Sequence, residues 1–308
     1  MIDPTRIHEE RDISMYVYTW YQWLLFFFIY CFLGWVIEST YVSVKSFHFV
    51  NRGFLRLPLL PLYGSGAILM LFLSLPVKGN LILVFFFGMA GASVLEYLTG
   101  YIMERLFKMK YWDYSNNPFN LNGYVCLGTS IAWGFLTILL TEVVHRPLEW
   151  MVFRLSDVTC IFLVTGIGIL FVYDTVQSTK AALDLGKVLE SLTKIRSELE
   201  EVQVQMSLLK AETAQKVSEL KSETMQKAAS VKEETMVKLT SLKTETTNAI
   251  KESALAERLQ ALTETREKLT GRLTFYPKGL LKRNPSASSR LFGEALRELK
   301  ENTKKFKK

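Results

Sequence analysis

Five apolar runs, roughly Tyr16–Ile37, Leu59–Leu75, Leu81–Tyr101, Val125–Val144 and Val152–Tyr173, fill most of the first 173 residues of a 308-residue chain. A helix needs about 20 apolar residues to cross the hydrocarbon of a bilayer. Four of the runs meet that length. The second is short and opens with Pro58 and Pro61, so it is expected to tilt, break or re-enter. Trp20, Trp23, Tyr101, Trp150 and Tyr173 fall near the run ends, where amphipathic rings favour the headgroups. Glu9, Glu10 and Asp12 precede the first run and no small-residue cleavage site follows it, so it reads as an anchor and not as a signal peptide. The expected fold is all-α: a membrane bundle of about five spans over residues 1–173, then a long cytosolic helix.

The short loops suggest an orientation. Loop one carries Lys45, Arg52 and Arg56, and loop three carries Arg105, Lys108 and Lys110; loop two has only Lys78, and loop four has Arg146 and Arg154. Basic residues stay cytosolic. Loops one and three and everything after Asp174 are therefore expected inside, and the N-terminus outside.

One carboxylate breaks the third run. Glu96 lies in FGMAGASVLEYLTGY, on a four-residue row with Gly88, Ala92 and Gly100. Small residues on that row let another helix come close, so Glu96 is expected to face protein. A buried carboxylate needs a partner or a proton. Glu38, Asn51, Arg52, Arg105, Trp112 and Asp113 gather at the same depth, and Arg52, with its bidentate guanidinium, is the first candidate partner, Arg105 the second. The region reads either as a site for an ion, a proton or a polar headgroup, or as an ion-paired plug fixing helix ends. Asn116, Asn117, Asn120 and Asn122, with Pro118 and Gly123, suggest a loop ordered by Asx turns. Arg154 and Asp157, three apart, suggest a local salt bridge beside Glu142.

FLGWVIEST (Phe32–Thr40), VNRGFLRLPLLPLYGSG (Val50–Gly66), the Glu96 segment and YWDYSNNPFNLNGYVC (Tyr111–Cys126) together resemble the bacterial membrane family called Putative ABC-transporter type IV. The resemblance covers about residues 20–175. It implies a permease-like component of a bacterial cell membrane, and, for energy, a separate ATPase subunit. Leu57 departs from the family pattern, which usually has glycine before the first proline.

Other chemistry has little support. Cys31, Cys126 and Cys160 are scattered in apolar runs without metal spacing, and His8, His48 and His145 form no cluster. There is no GxxxxGK[ST] phosphate loop. No catalytic residue, metal or cofactor is expected.

The tail repeats every eleven residues. Lys210, Lys221, Lys232 and Lys243 recur at that spacing, as do Glu212, Glu223, Glu234 and Glu245, and Thr213, Thr224, Thr235 and Thr246. An apolar line runs Ile195, Met206, Val217, Ala228, Leu239, Ile250, Ala261. Eleven residues make three turns at about 3.67 residues per turn, which favours a right-handed coiled coil. No Gly or Pro interrupts Lys187–Thr270, so one continuous helix about 125 Å long is expected there. Self-association through the stripe is the first reading, and a helix lying on the bilayer is the rival.

Charge concentrates at the end. Residues 1–173 are net zero, 174–270 are net −1, and 271–308 hold 11 basic and 3 acidic residues. A break at Pro277-Lys278-Gly279 and an amphipathic helix through Leu291, Phe292, Ala295, Leu296 and Leu299 lead to Lys304, Lys305, Lys307 and Lys308. Binding to an anionic membrane surface is expected in preference to nucleic acid.

Overall fold

The computed structural model describes residues 18–226, 231–271 and 275–305; the side chains of 220–245, 275, 304 and 305 lie outside that description. The described chain is almost all helix: α1 (Trp20–Ser46), α2 (Pro61–Ser74), α3 (Leu81–Phe107), α4 (Leu127–Leu139), α5 (His145–Phe153), α6 (Asp157–Gln226), α7 (Val231–Gly271), α8 (Phe275–Arg283) and α9 (Gly293–Lys305). A two-stranded antiparallel hairpin, β1 (Asn120–Leu121) and β2 (Val125–Cys126), interrupts them. Four helical segments are long and apolar enough to cross a membrane: Trp20–Ser46, Leu81–Phe107, Leu127–Phe153 and Asp157–Glu219. The Pro61–Val77 segment is shorter, as its prolines suggest. Exposed Phe86, Phe135 and Phe162 present the apolar outer surface that lipid would cover.

The bundle closes through α1 on α2 and α6, α2 on α3, and α3 on α4. Glycine sets two of these approaches. A Cβ on Gly34 would lie 2.3 Å from Tyr63 Cβ, and one on Gly88 would lie 2.1 Å from Thr137 Oγ1. The core between the faces is apolar, with Phe26, Cys31, Leu71 and Val152 fully buried. The fourth span runs further than expected. A π-helical segment, Leu140–Val144, joins α4 directly to α5, so His145 to Met151 are helical and the turn is confined to the residues around Ser156. Pro147 has no N–H for the carbonyl four residues back, and the wider π turn sits where that bond is lost.

The tail departs from one continuous helix. The fifth apolar run and the first part of the tail form a single 70-residue helix, α6. The second part, α7, returns along it: Asn248 Nδ2 donates to Thr213 Oγ1 at 3.0 Å, and Lys210 pairs with Glu252 at 3.6 Å. The covered positions follow a three-and-four spacing, Val202, Met206, Leu209 and Thr213 on α6, and Leu255, Leu259, Leu262 and Leu269 on α7. On the eleven-residue line, Ile195 and Met206 are covered, while Val217, Ile250 and Ala261 are exposed. Leu220 to Leu242 of the stripe lie outside the described side chains. Intrachain pairing at heptad-like spacing therefore takes the place of a straight rod in the described residues.

The basic end also turns back. Pro277-Lys278-Gly279 is not a break but lies inside α8. The apolar face of α9 is used within the chain: Ala295, Leu296 and Leu299 join Leu280, Leu281, Phe107, Met109, Tyr111, Leu185, Leu189 and Leu192 in a second core. Lys304 and Lys305 as side chains, and Lys307 and Lys308 entirely, lie outside the described residues.

Candidate functional site

Two buried polar stations occupy opposite ends of the bundle. The first sits at the face where α6 leaves the spans, here the tail face. Glu96 is 4% exposed, and its row partners Gly88, Ala92 and Gly100 are buried with it, as the small-residue spacing suggests. Its partners differ from expectation. Tyr114 OH donates to Oε1 at 3.2 Å, and Trp133 Nε1 donates to Oε2 at 2.9 Å. Neither Arg52 nor Arg105 reaches it. Arg105 lies over the Tyr101 ring at 5.3 Å, on the helix's outer side. Among the described residues Glu96 has no ion pair. The reason is the fold of loop one, which carries Arg52 towards the tail.

Glu38 is the second carboxylate of this station. Tyr63 OH donates to its Oε1 at 3.0 Å, and Arg52 Nε stands 3.8 Å from its Oε2. Gly34, one turn before Glu38, is what lets Tyr63 run flat along α1 to reach it. Tyr63 and Trp133 meet edge to face at 5.8 Å, which joins the Glu38 half to the Glu96 half. Trp35 Nε1 donates to Asn51 Oδ1 at 2.7 Å, so Asn51 orders loop one beside the station. Tyr63, Tyr114, Trp133 and Trp35 escaped the sequence reading, which sought a cationic partner for the carboxylate and not neutral donors.

Arg52 leads away to the tail. Its guanidinium donates to Asn284 Oδ1 at 2.9 Å and to Tyr111 O at 3.1 Å. Burial holds it below its usual pKa, and Glu38 offsets part of that. Asn284 Nδ2 donates to Gly53 O, and Arg283 Nη2 donates to Phe54 O. Lys110 and Ser288 exchange both backbone hydrogen bonds, at 2.8 and 3.0 Å. Asp113 belongs here and not with Glu96: it accepts from Ser288 Oγ at 2.7 Å and lies 3.6 Å from Lys110 Nζ. Burial raises its carboxyl, but hydrogen bonds from Ser115 and Ser288 and the Lys110 charge outweigh that and hold it below the usual range. Trp112 Nε1 donates to Tyr124 O at 2.9 Å and fixes the loop-three hairpin. The asparagines do order that loop: Asn120 accepts from Gly123 N–H, and Asn122 adopts a left-handed φ of 53°. Asp174, the residue that opens the tail, accepts from the N–H groups of Arg56 and Leu57 at 2.7 and 2.8 Å and anchors loop one without a glycine at 57.

The second station lies at the far face. His145 is 2% exposed. Its Nδ1 lies 2.7 Å from Tyr30 OH and its Nε2 lies 2.9 Å from Tyr18 OH, which in turn donates to Glu149 Oε1 at 2.5 Å. Nothing in the histidine spacing marked this set; four-residue spacing of His145 and Glu149 on one helix was the available signal. The expected Arg154–Asp157 bridge is replaced by Arg154 stacked on Trp150 at 3.5 Å, while Arg146 pairs with Glu142 at 3.0 Å. Among the described residues no three metal-ligating side chains come together.

A nearly all-helical bundle with four segments fit to cross a bilayer, and with polar groups buried at both ends, defines a polytopic membrane protein. The chain belongs to the family described as Putative ABC-transporter type IV, whose model matches residues 25–179. That match takes in the whole tail-face station and the far-face residues Tyr30, His145 and Glu149. No curated protein and no solved structure matches the chain.

Proposed function

We propose that this chain is a permease-like membrane component that passes a proton or a small cation, held on its way at the Glu96 station. The observation that carries this reading is Glu96 itself: nearly inaccessible, satisfied by two neutral donors, and without a cationic partner among the described residues. With Glu38 and Glu96 set against one guanidinium, the station favours positive charge. The apolar core between the stations fits a closed conformation. ATP hydrolysis, if it drives the passage, belongs to a separate subunit, since the chain has no phosphate-binding loop. All five helical segments through the bilayer, with loops one and three and the tail in the cytosol, is the arrangement the loop charges support.

The test is flux. The full chain is reconstituted into liposomes holding a pH-sensitive or a sodium-sensitive dye, and a gradient is imposed. Glu96→Gln should slow flux of the transported ion at least ten-fold at equal protein content. Equal flux through both proteins, or none through the parent, overturns the proposal. The alternative is a membrane organiser whose tail holds a partner; it is favoured by the reach of α6 and α7 beyond the loops. Under that reading the parent passes neither ion.

A further inference from the structure

The far-face station has a direction built into it. Tyr18 has one hydroxyl proton, and it points at Glu149 Oε1. The Tyr18 oxygen must then accept from His145, so Nε2 carries the imidazole proton. In the neutral ring Nδ1 is left as an acceptor, and the Tyr30 hydroxyl donates to it. The four groups form one chain with every donor pointing the same way: Tyr30 to His145 to Tyr18 to Glu149. They come from the start of the chain before α1, from α1 and from α5, so the order is made by tertiary packing. Phe26, fully buried, packs its ring 5.0 Å from the imidazole, and Val152 closes the same core. Among the described residues, the charged groups acting on this set are Glu149 itself, Arg146 from the same helix, and Lys78 from the segment between α2 and α3.

We propose that Tyr30, His145, Tyr18 and Glu149 are a proton wire that connects the bundle interior to the far face. A proton reaching Tyr30 from the interior displaces the hydroxyl proton onto Nδ1. Nε2 gives its proton to Tyr18, and Tyr18 gives its own to Glu149. Each of the first three groups gains one proton and loses one, so the only net gain is at Glu149, which releases it to the far face. The imidazole stays neutral throughout and changes from the Nε2–H to the Nδ1–H form. His145 is thus a two-state reporter of the Glu149 carboxyl: Nε2–H while Glu149 is ionised, Nδ1–H once Glu149 holds a proton and Tyr18 must donate to Nε2 instead. The supply of protons at Tyr30 rests on the transport reading above; the wire and its tautomer switch do not.

The experiment follows the imidazole directly. The full chain with 15N-labelled histidine is placed in lipid nanodiscs, and His145 is assigned by loss of its signals in His145→Gln. Near neutral pH the Nε2–H form should dominate. On acidification, His145 should pass to Nδ1–H over the same pH interval in which infrared spectra show a protonated carboxyl that is missing in Glu149→Leu. In Glu149→Leu there is no carboxyl to report, and the neutral His145 ring should keep one tautomer across that interval. A ring that stays Nε2–H while the carboxyl takes its proton, or that becomes imidazolium in that interval, overturns the wire. So does the same tautomer change in a folded Glu149→Leu protein. None of these readings uses flux, so a failed Glu96 experiment leaves the wire standing, and a fixed tautomer sinks the wire without touching the flux result.

Discussion

Arg52 in loop one and Asn284 in the tail, 232 positions apart, are joined at 2.9 Å, and the same guanidinium faces Glu38 at the end of the first span. Membrane station and tail thus share one side chain. Arg52→Gln should loosen both. Removing one partner of a buried, charge-assisted hydrogen bond costs about 1–3 kcal/mol, so amide exchange across 284–303 should speed up measurably. Unchanged exchange would mean that the backbone pairing of Lys110 with Ser288 holds the tail alone.

Asp113 makes that docking sensitive to acid. Its carboxyl lies below the usual range in the folded chain, so its contribution is fully present above the unfolded value, about pH 4, and is lost as pH falls through the lower folded value. Protection of the tail against proteolysis should fall on acidification below about pH 4. Asp113→Asn should flatten that limb.

Glu96→Gln and Glu96→Leu should part company. Glutamine keeps an acceptor for the Trp133 N–H or the Tyr114 hydroxyl, whereas leucine leaves both donors buried without one. Each orphaned donor costs about 1–3 kcal/mol. Detergent-solubilised Glu96→Leu should melt well below Glu96→Gln; equal melting temperatures would contradict the geometry.

Gly34→Ala drives a methyl into Tyr63, where no space exists, and overpacking of this kind costs about 1–3 kcal/mol or more. Gly166→Ala meets nothing within 4 Å. The first should lower the melting temperature and displace Tyr63 from Glu38. The second should leave stability the same or slightly higher, as helix propensity favours alanine.

Thr213→Cys with Asn248→Cys should form a disulfide within one chain under mild oxidation, since the parent side chains touch at 3.0 Å. A product that is only a covalent dimer would restore the straight, self-associating rod.

Much of this was legible from residue order. The apolar runs located the helices but not their ends: α1 continues to Ser46 and α3 to Phe107, and in the fourth run a π segment carries helix past the polar residues that looked like a loop. The row through Glu96 placed that carboxylate against protein because a four-residue repeat of small side chains has a direct packing meaning. The partner was misplaced, since whether a loop arginine turns towards the bundle or the tail depends on contacts more than 200 positions away. The tail's eleven-residue repeat is real in sequence, yet only its first members, Ile195 and Met206, are covered, and the contacts beyond them follow another spacing. Repetition alone does not say which stripe meets a partner when the partner is the same chain returning.

Tyr111 OH and Arg283 Nε are buried without a hydrogen-bond partner among the described residues where the tail meets the loops. α6, meanwhile, runs unbroken from the bilayer into the hairpin, so the part beyond Asp174 is a lever about 80 Å long. A tilt of about 5° at the span would sweep its far end through roughly 7 Å. Small rearrangements among the spans would therefore be enlarged at the far end of the arm, beside a latch whose own polar atoms are not all matched.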